Sequence, residues 1–266
     1  MMKVYISADI EGVTGVTNWN ETILGHAEHK WAAKQMTDEV IAACKGAIAA
    51  GAKEIFIKDA HDSGRNIDVT RLPEKTKLIR GWTCSPKSMM AGIDDTFDAC
   101  IYIGYHSASG EDGNPLAHTF NNAKVSHLKI NGQLASEFMI NTYLAAYYNV
   151  PVVFISGDKM ICDDAKSLVS SMRTVAVKEC VGGATFNMNL ELASRLITEN
   201  VEKSLSNIED NKIEIPVVFK LEVRYVNHTD AHRASFYPGA TKVDGHTVEY
   251  TAKDILELMT ARMFIL

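Results

Sequence analysis

What most constrains this chain is a repeated alternation: short, uninterrupted runs rich in Val and Ile, separated by longer segments with helical periodicity. KVYISAD (3–9) is followed by a helical segment over 28–50, then EIFIKD (54–59), then ACIYIGYH ending at His106. SHLKI (126–130), a helix over 136–148, PVVFISGD (151–158), a helix over 162–172, TVAVKE (174–179) and a helix over 189–206 continue the rhythm. Continuous apolar runs between helices mark strands buried on both faces, which is the condition of a parallel sheet covered by its crossovers. The fold class is therefore α/β, with an open, mostly parallel, doubly wound sheet. The polar stretch SNIEDNKIEIP (206–216) breaks the pattern. Beyond it, VVFKLEVRYV (217–226), a hairpin pivoting on Asp244-Gly245 and a closing helix from Ala252 predict a small C-terminal α+β subdomain. Two regions are expected, 1–208 and 209–266.

A chain of 266 residues, 46% hydrophobic and 23% charged, can build its core without staples. Its formal charge of -6 and the lack of any lysine- or arginine-rich run exclude nucleic acid as an expected partner. The opening MMKVYISADIEG does not read as a signal peptide, and no apolar window is long enough for a membrane span, so a cytoplasmic location is expected. Cys44, Cys84, Cys100, Cys162 and Cys180 are scattered, odd in number and never in a CxxC pair; they read as reduced thiols.

In an open α/β sheet, ligands bind outside the carboxyl ends of the strands. Here the first strand ends in Asp9 with Glu11 two residues on, the second in Asp59 and His61, the third in His106, and the run at 151–157 in Asp158. Any one of these has an ordinary explanation, because aspartate caps helices and histidine is common near turns. Three strand ends bearing metal-binding side chains together are harder to explain so. Gly12 and Gly15 allow tight turns that could bring the Asp9 and Glu11 oxygens onto a cation. The Gly12-x-x-Gly15 spacing is not a phosphate loop, since it lacks the required pattern and its acidic neighbours repel phosphate. His118 in PLAHTFNN is either a loop residue or a chemical one, and Glu137, at the start of a helix, suits the helix dipole as well as it suits a ligand. His26 and His29, like His228, His232 and His246, read as surface residues, and Asp158 as a strand-end cap that could also line a site.

The strings SADIEGVTG, KDAHD, DDTFDACIYIGYHS, the isolated His118, GQLASEFMINTYLAAYYNVPVVFISGD and the closing YPGA…VEYTAKDILE together resemble the zinc-dependent D-aminopeptidase family, the DppA type. The likeness runs in order from residue 2 to about 260. It implies two zinc ions per chain, with Asp9 as the carboxylate shared by both, Glu11 and His61 completing one ion's ligands, and His106 and Glu137 the other's. His118 matches the family's catalytic histidine, and Asp59 a residue that orients a ligand. The resemblance further implies a water activated by the paired ions, short peptides with an N-terminal D-amino acid as substrates, and a ring-like homo-oligomer. A dizinc amidase or dipeptidase acting on another amide is the alternative enzyme. A metal- or peptide-binding protein without activity is the alternative outside catalysis. The loop between His106 and His118 and the segment VTNWNETILG depart from the family pattern, and there a substrate side chain would be selected.

Overall fold

The structure, a computed structural model, describes residues 1–266 apart from the side chain of Glu209. The first half of the chain forms β1 (Lys3–Ala8), α1 (His29–Ala49), β2 (Glu54–Asp59), β3 (Thr76–Ile79), β4 (Ala99–Tyr105), β5 (Val125–Ile130) and β6 (Gln133–Leu134). Then come α2 (Glu137–Tyr147), β7 (Val152–Asp158), α3 (Lys159–Leu168), β8 (Arg173–Val181), β9 (Ala184–Asn187) and α4 (Leu190–Ser204). The chain closes with β10 (Phe219–Tyr225), α5 (His228–Ala234), β11 (Thr241–Lys242), β12 (Thr247–Ala252) and α6 (Ile255–Ile265).

Seven strands form one sheet in the order β3-β2-β1-β4-β7-β8-β9, parallel except for the last pair. The period-two alternation of strand side chains sends Val4, Ile6, Ile101 and Ile103 to a face covered by α1 and α4. Tyr5, Tyr102 and Tyr105 point to the other face, where α2, α3 and the second sheet pack. Both faces are therefore dry, which is why these strands read as continuous apolar runs. The helix starts follow from local chemistry: Ser136, Asp158 and Asn189 each accept a backbone N–H from the first turn of α2, α3 and α4. Because Asp158 caps it, α3 begins at Lys159 and ends at Leu168, earlier than the expected 162–172.

The chain runs outward from β1 to β3 and returns to β4 on the other side of β1. The loops after β1 and β4 thus part at the point where strand order reverses, opening a crevice at their carboxyl ends. Gly12 lets the β1 loop lie directly on β4: its N–H donates to Gly104 O at 2.8 Å, and a Cβ there would sit 1.8 Å from the Tyr105 carbonyl oxygen.

The other five strands form a second sheet in the order β11-β12-β10-β5-β6, antiparallel throughout. SHLKI, expected within the parallel rhythm, is here β5, paired with β10. Its alternating burial, with Val125, Leu128 and Ile130 inside and Ser126 exposed, is that of a strand covered on one face. The expected division at residue 208 accordingly does not separate the two sheets, because β10 and β12 complete their sheet with mid-chain strands. The hairpin about Asp244-Gly245 joins β11 to β12 as expected. A short helix, α5, lies between β10 and β11. No helix among the described residues is long and apolar enough to cross a membrane.

Candidate metal centre

Asp9 and Glu11 leave β1, His61 follows β2, His106 follows β4, and Glu137 is the first residue of α2. Although they are far apart in sequence, the switch point gathers them, and all five are at least 92% buried. The two Asp9 oxygens face opposite ways. Oδ1 lies 3.2 Å from His61 Nδ1, and Oδ2 lies 3.6 Å from His106 Nε2. Glu11 Oε2 is 3.0 Å from His61 Nδ1, and Glu137 Oε2 is 3.4 Å from His106 Nε2. Two sets, Asp9-Glu11-His61 and Asp9-His106-Glu137, therefore each bring three ligand atoms within 4.8 Å of one another, with Asp9 common to both. A third such set is Glu11-His106-His118.

The imidazole orientations are set from outside the cluster. His61 Nε2 lies 2.9 Å from the Thr22 carbonyl, and His106 Nδ1 lies 2.9 Å from the Ser107 carbonyl. A carbonyl only accepts, so those nitrogens carry the hydrogen, and each ring turns its other nitrogen, a lone pair, toward carboxylate oxygens. Lone pairs facing lone pairs repel unless a positive charge lies between them. Both oxygens of Glu11 and Nε2 of His106 are buried without any hydrogen-bond partner, an arrangement that native proteins rarely leave uncompensated. A donor set of two imidazoles and three carboxylates, with no thiolate, suits Zn²⁺.

The protonation preferences carry the same message. Burial opposes charge on every member, yet Glu11 and Asp9 raise His61 well above its ordinary range, and Glu137 with the other acids raises His106 to about 10. Burial likewise opposes ionisation of Glu137, but His106 brings its carboxyl down to about 2. Glu11, facing His61, is held low against its burial, while burial and the Glu11 charge push Asp9 up. The pocket is short of positive charge.

His118 is placed differently. Its ring stacks on His106 at 4.4 Å and meets Trp19 edge-on, and its Nδ1 lies 3.0 Å from Leu116 O. Nε2 therefore faces the cluster as a lone pair, 3.8 Å from Glu137 Oε1. Burial and the charge of His106 keep the ring below its usual pKa, hence neutral. Asp9, Glu11, His61, His118 and Glu137 all line one cleft of about 670 Å³, whose rim includes Trp19 and Trp82.

With this geometry in view, likeness to known proteins decides the family: the D-aminopeptidase family profile matches residues 2–264. The chain belongs to that family. A D-aminopeptidase of Bacillus subtilis (strain 168) is 31% identical over 265 residues, covering 98% of this chain and 96% of the relative. Among solved structures, the Zn-dependent D-aminopeptidase DppA from Bacillus subtilis, described as a self-compartmentalizing protease, superposes with a TM-score of 0.92 at 30% identity. That match covers 99% of this chain and 96% of the other.

In this family member, several supports of the site escape sequence reasoning. Buried Lys178 of β8, in register with Asp158 of β7, donates to the carbonyls of Glu11 and Val16, and Asn114 Nδ2 also donates to Glu11 O, at 3.1 Å. Glu39 of α1 accepts from the N–H and hydroxyl of Thr14, at 3.0 and 2.6 Å. Together they hold the loop that carries Glu11. The one available signal was a lysine close to the carboxyl end of the run TVAVKE (174–179). Asp158 does not line the cleft: its carboxylate takes Ser107 N–H and Oγ, Asn114 Nδ2 and the first turn of α3. Asp59 touches no imidazole; it accepts from Asn66 N, Asn66 Nδ2 and Ile67 N, and Asn66 in turn donates to His61 O. His29, expected at the surface, is buried with Nε2 3.0 Å from Asn66 Oδ1, whereas His26, His228 and His232 are exposed and His246 is partly buried.

Proposed function

We propose that this protein is a zinc-dependent D-aminopeptidase that removes the N-terminal residue of short peptides, with Asp9, Glu11, His61, His106 and Glu137 holding two zinc ions. The observation that carries this reading is the divided Asp9 carboxylate, one oxygen toward His61 and the other toward His106, beside a buried Glu11 whose oxygens have no hydrogen-bond partner. Zinc bound there would supply Lewis acidity for the scissile carbonyl and an activated water.

The chain's own residues then have separable tasks. Thr22 O and Ser107 O hold the outer nitrogens of His61 and His106, so that the inward nitrogen of each is the one that would ligate a metal. Phe120 donates its N–H to Glu137 Oε1 at 2.7 Å, leaving Oε2 to face His106. His118, neutral and with Nε2 turned inward, is suited to take a proton at Nε2 and pass it to the leaving amine, or to hydrogen-bond the developing oxyanion once protonated. Trp19 packs edge-on against the His118 ring. The free amine of a peptide N-terminus would be a ligand for a zinc ion held by these residues, which fits an exopeptidase.

We further infer a ring-like homo-oligomer working in the cytoplasm. Its support is the self-compartmentalizing relative, together with apolar side chains left in solvent, Val217, Phe236 and Phe264. The deciding experiment is zinc content and hydrolysis of paired D- and L-alanyl peptides by the purified protein. About two zinc ions per chain and preference for the D-peptide are expected; full activity after thorough chelation would refute the reading.

A further inference from the structure

Arg262, in the last turn of α6, lines the cleft that holds the acidic cluster, and it is the only lysine or arginine among the described lining residues. Its guanidinium lies over the ring of Phe120, 4.4 Å from the centroid. Its Nε is buried without a hydrogen-bond partner, and no described carboxylate lies within ion-pair distance of it. The acid acting on it electrostatically is Glu137, whose Oε1 already accepts from Phe120 N–H and whose Oε2 faces His106.

Such an arginine is poorly explained by packing alone. A guanidinium offers five donors in a planar fork that matches a carboxylate, and a partly desolvated one without a counter-charge is costly. Burial already lowers its pKa to about 10. Phe120, which supports it, adopts a positive φ of 61° while donating its N–H to Glu137. That conformation is uncommon for a bulky residue and tends to occur where a site demands it. One strained residue therefore joins the cluster that would hold zinc to the only fixed positive charge of the cleft. The cleft, about 670 Å³, is within the size range of small-ligand sites.

We propose that Arg262 binds the C-terminal carboxylate of the peptide substrate, so that the cleft selects short, free peptides by gripping them at both ends. This rests on the aminopeptidase reading and assigns the end of the substrate that the reading leaves open.

The test compares a D-alanyl dipeptide bearing a free carboxylate with its C-terminal amide, using the zinc-loaded protein. The parent should process the acid with kcat/KM about ten- to a hundredfold above the amide, mostly through KM, the usual weight of a charge-assisted pair. Arg262→Gln should bring the acid down to the amide level and leave the amide within about threefold of the parent. Arg262→Lys, which keeps charge but not the fork, should fall between. Equal use of acid and amide by the parent, or an equal loss of both in Arg262→Gln, would overturn the proposal and leave Arg262 as a packing residue. If the parent hydrolyses neither peptide, the aminopeptidase reading fails separately, and calorimetric binding of the same two peptides decides the role of Arg262. A preference for the acid that disappears in Arg262→Gln upholds it, and equal affinities overturn it.

Discussion

At the carboxyl edge of the seven-stranded sheet, Asp9, Glu11, Lys58, Asp59, Asp158 and Lys178 are all buried, whereas the charges of the five-stranded sheet stand on its outer face as partly exposed pairs. On that face Lys129 and Glu222 meet at 3.2 Å, Lys220 and Glu249 at 3.0 Å, and Arg224 and Asp244 at 3.3 Å. Water solvates these pairs in the folded and unfolded chain alike, so each contributes little. At the buried edge water is gone, and every charge must find a partner in the protein or in something the protein binds. Asp59, Asp158 and Lys178 find theirs in backbone and side-chain groups. Glu11 and the inward nitrogen of His106 do not. The contrast separates charges that hold the scaffold from charges left over for a ligand.

Asp9→Ala should break the buried side of this comparison most severely. Removing the carboxylate shared by both sets should release both zinc ions and abolish activity, whereas Glu11→Ala should deplete mainly one ion. Elemental analysis decides it, and two ions retained after Asp9→Ala would remove the bridging role. Next comes His118→Ala, which should keep its metal and lose about 10²–10⁴ in kcat. A loss of zinc together with activity would make His118 a ligand, as its place in the third set allows.

Backbone contacts sharpen the comparison further. At Gly12 a Cβ would strike the Tyr105 carbonyl at 1.8 Å, so Gly12→Ala should cost about 3 kcal/mol or more in urea unfolding. Gly132, in the β5–β6 turn, has a φ of +85° but open space, and Gly132→Ala should cost only about 1–2 kcal/mol. Equal losses would mean that the β1 loop yields more easily than its packing implies.

Lys58 tests buried charge by pH. Burial, only partly offset by Asp59, lowers its pKa from 10.5 to about 8. Between those values the unfolded chain binds the proton more tightly than the folded one, so stability from this group rises as pH goes from 8 to 10.5 and is lost as pH falls back. Lys58→Met should lack that rise, a difference of roughly 1–3 kcal/mol across the window. Identical pH slopes for parent and variant would contradict it. On the exposed sheet Lys220→Ala should shift stability by less than about 1 kcal/mol, with a smaller effect still in high salt. A larger loss would show that the pair is more than a solvated contact.

Much of this protein was legible locally. Strand-end chemistry placed Asp9, Glu11, His61 and His106 at the right edge of the right sheet, because parallel strands betray themselves by unbroken apolar runs and their carboxyl ends follow directly in sequence. Glu137 and His118 needed the family resemblance, since a glutamate opening a helix and a histidine in a loop have everyday roles. The sequence by itself thus determined the α/β class, the places of the main strands along the chain and the loops that carry the acids and imidazoles. Only the tertiary structure decided which strands pair, and so moved SHLKI out of the parallel rhythm into the antiparallel sheet with β10; strand hydrogen bonds are the same whoever the partner is. It also decided burial: His29 went inside, Lys178 went under the Glu11 loop, and Arg262 came from the last helix to the cleft wall beside Phe120. The reason is common to all three. Periodicity is a property of neighbours along the chain, but desolvation of a polar group depends on surfaces brought together from residues tens to more than a hundred positions apart.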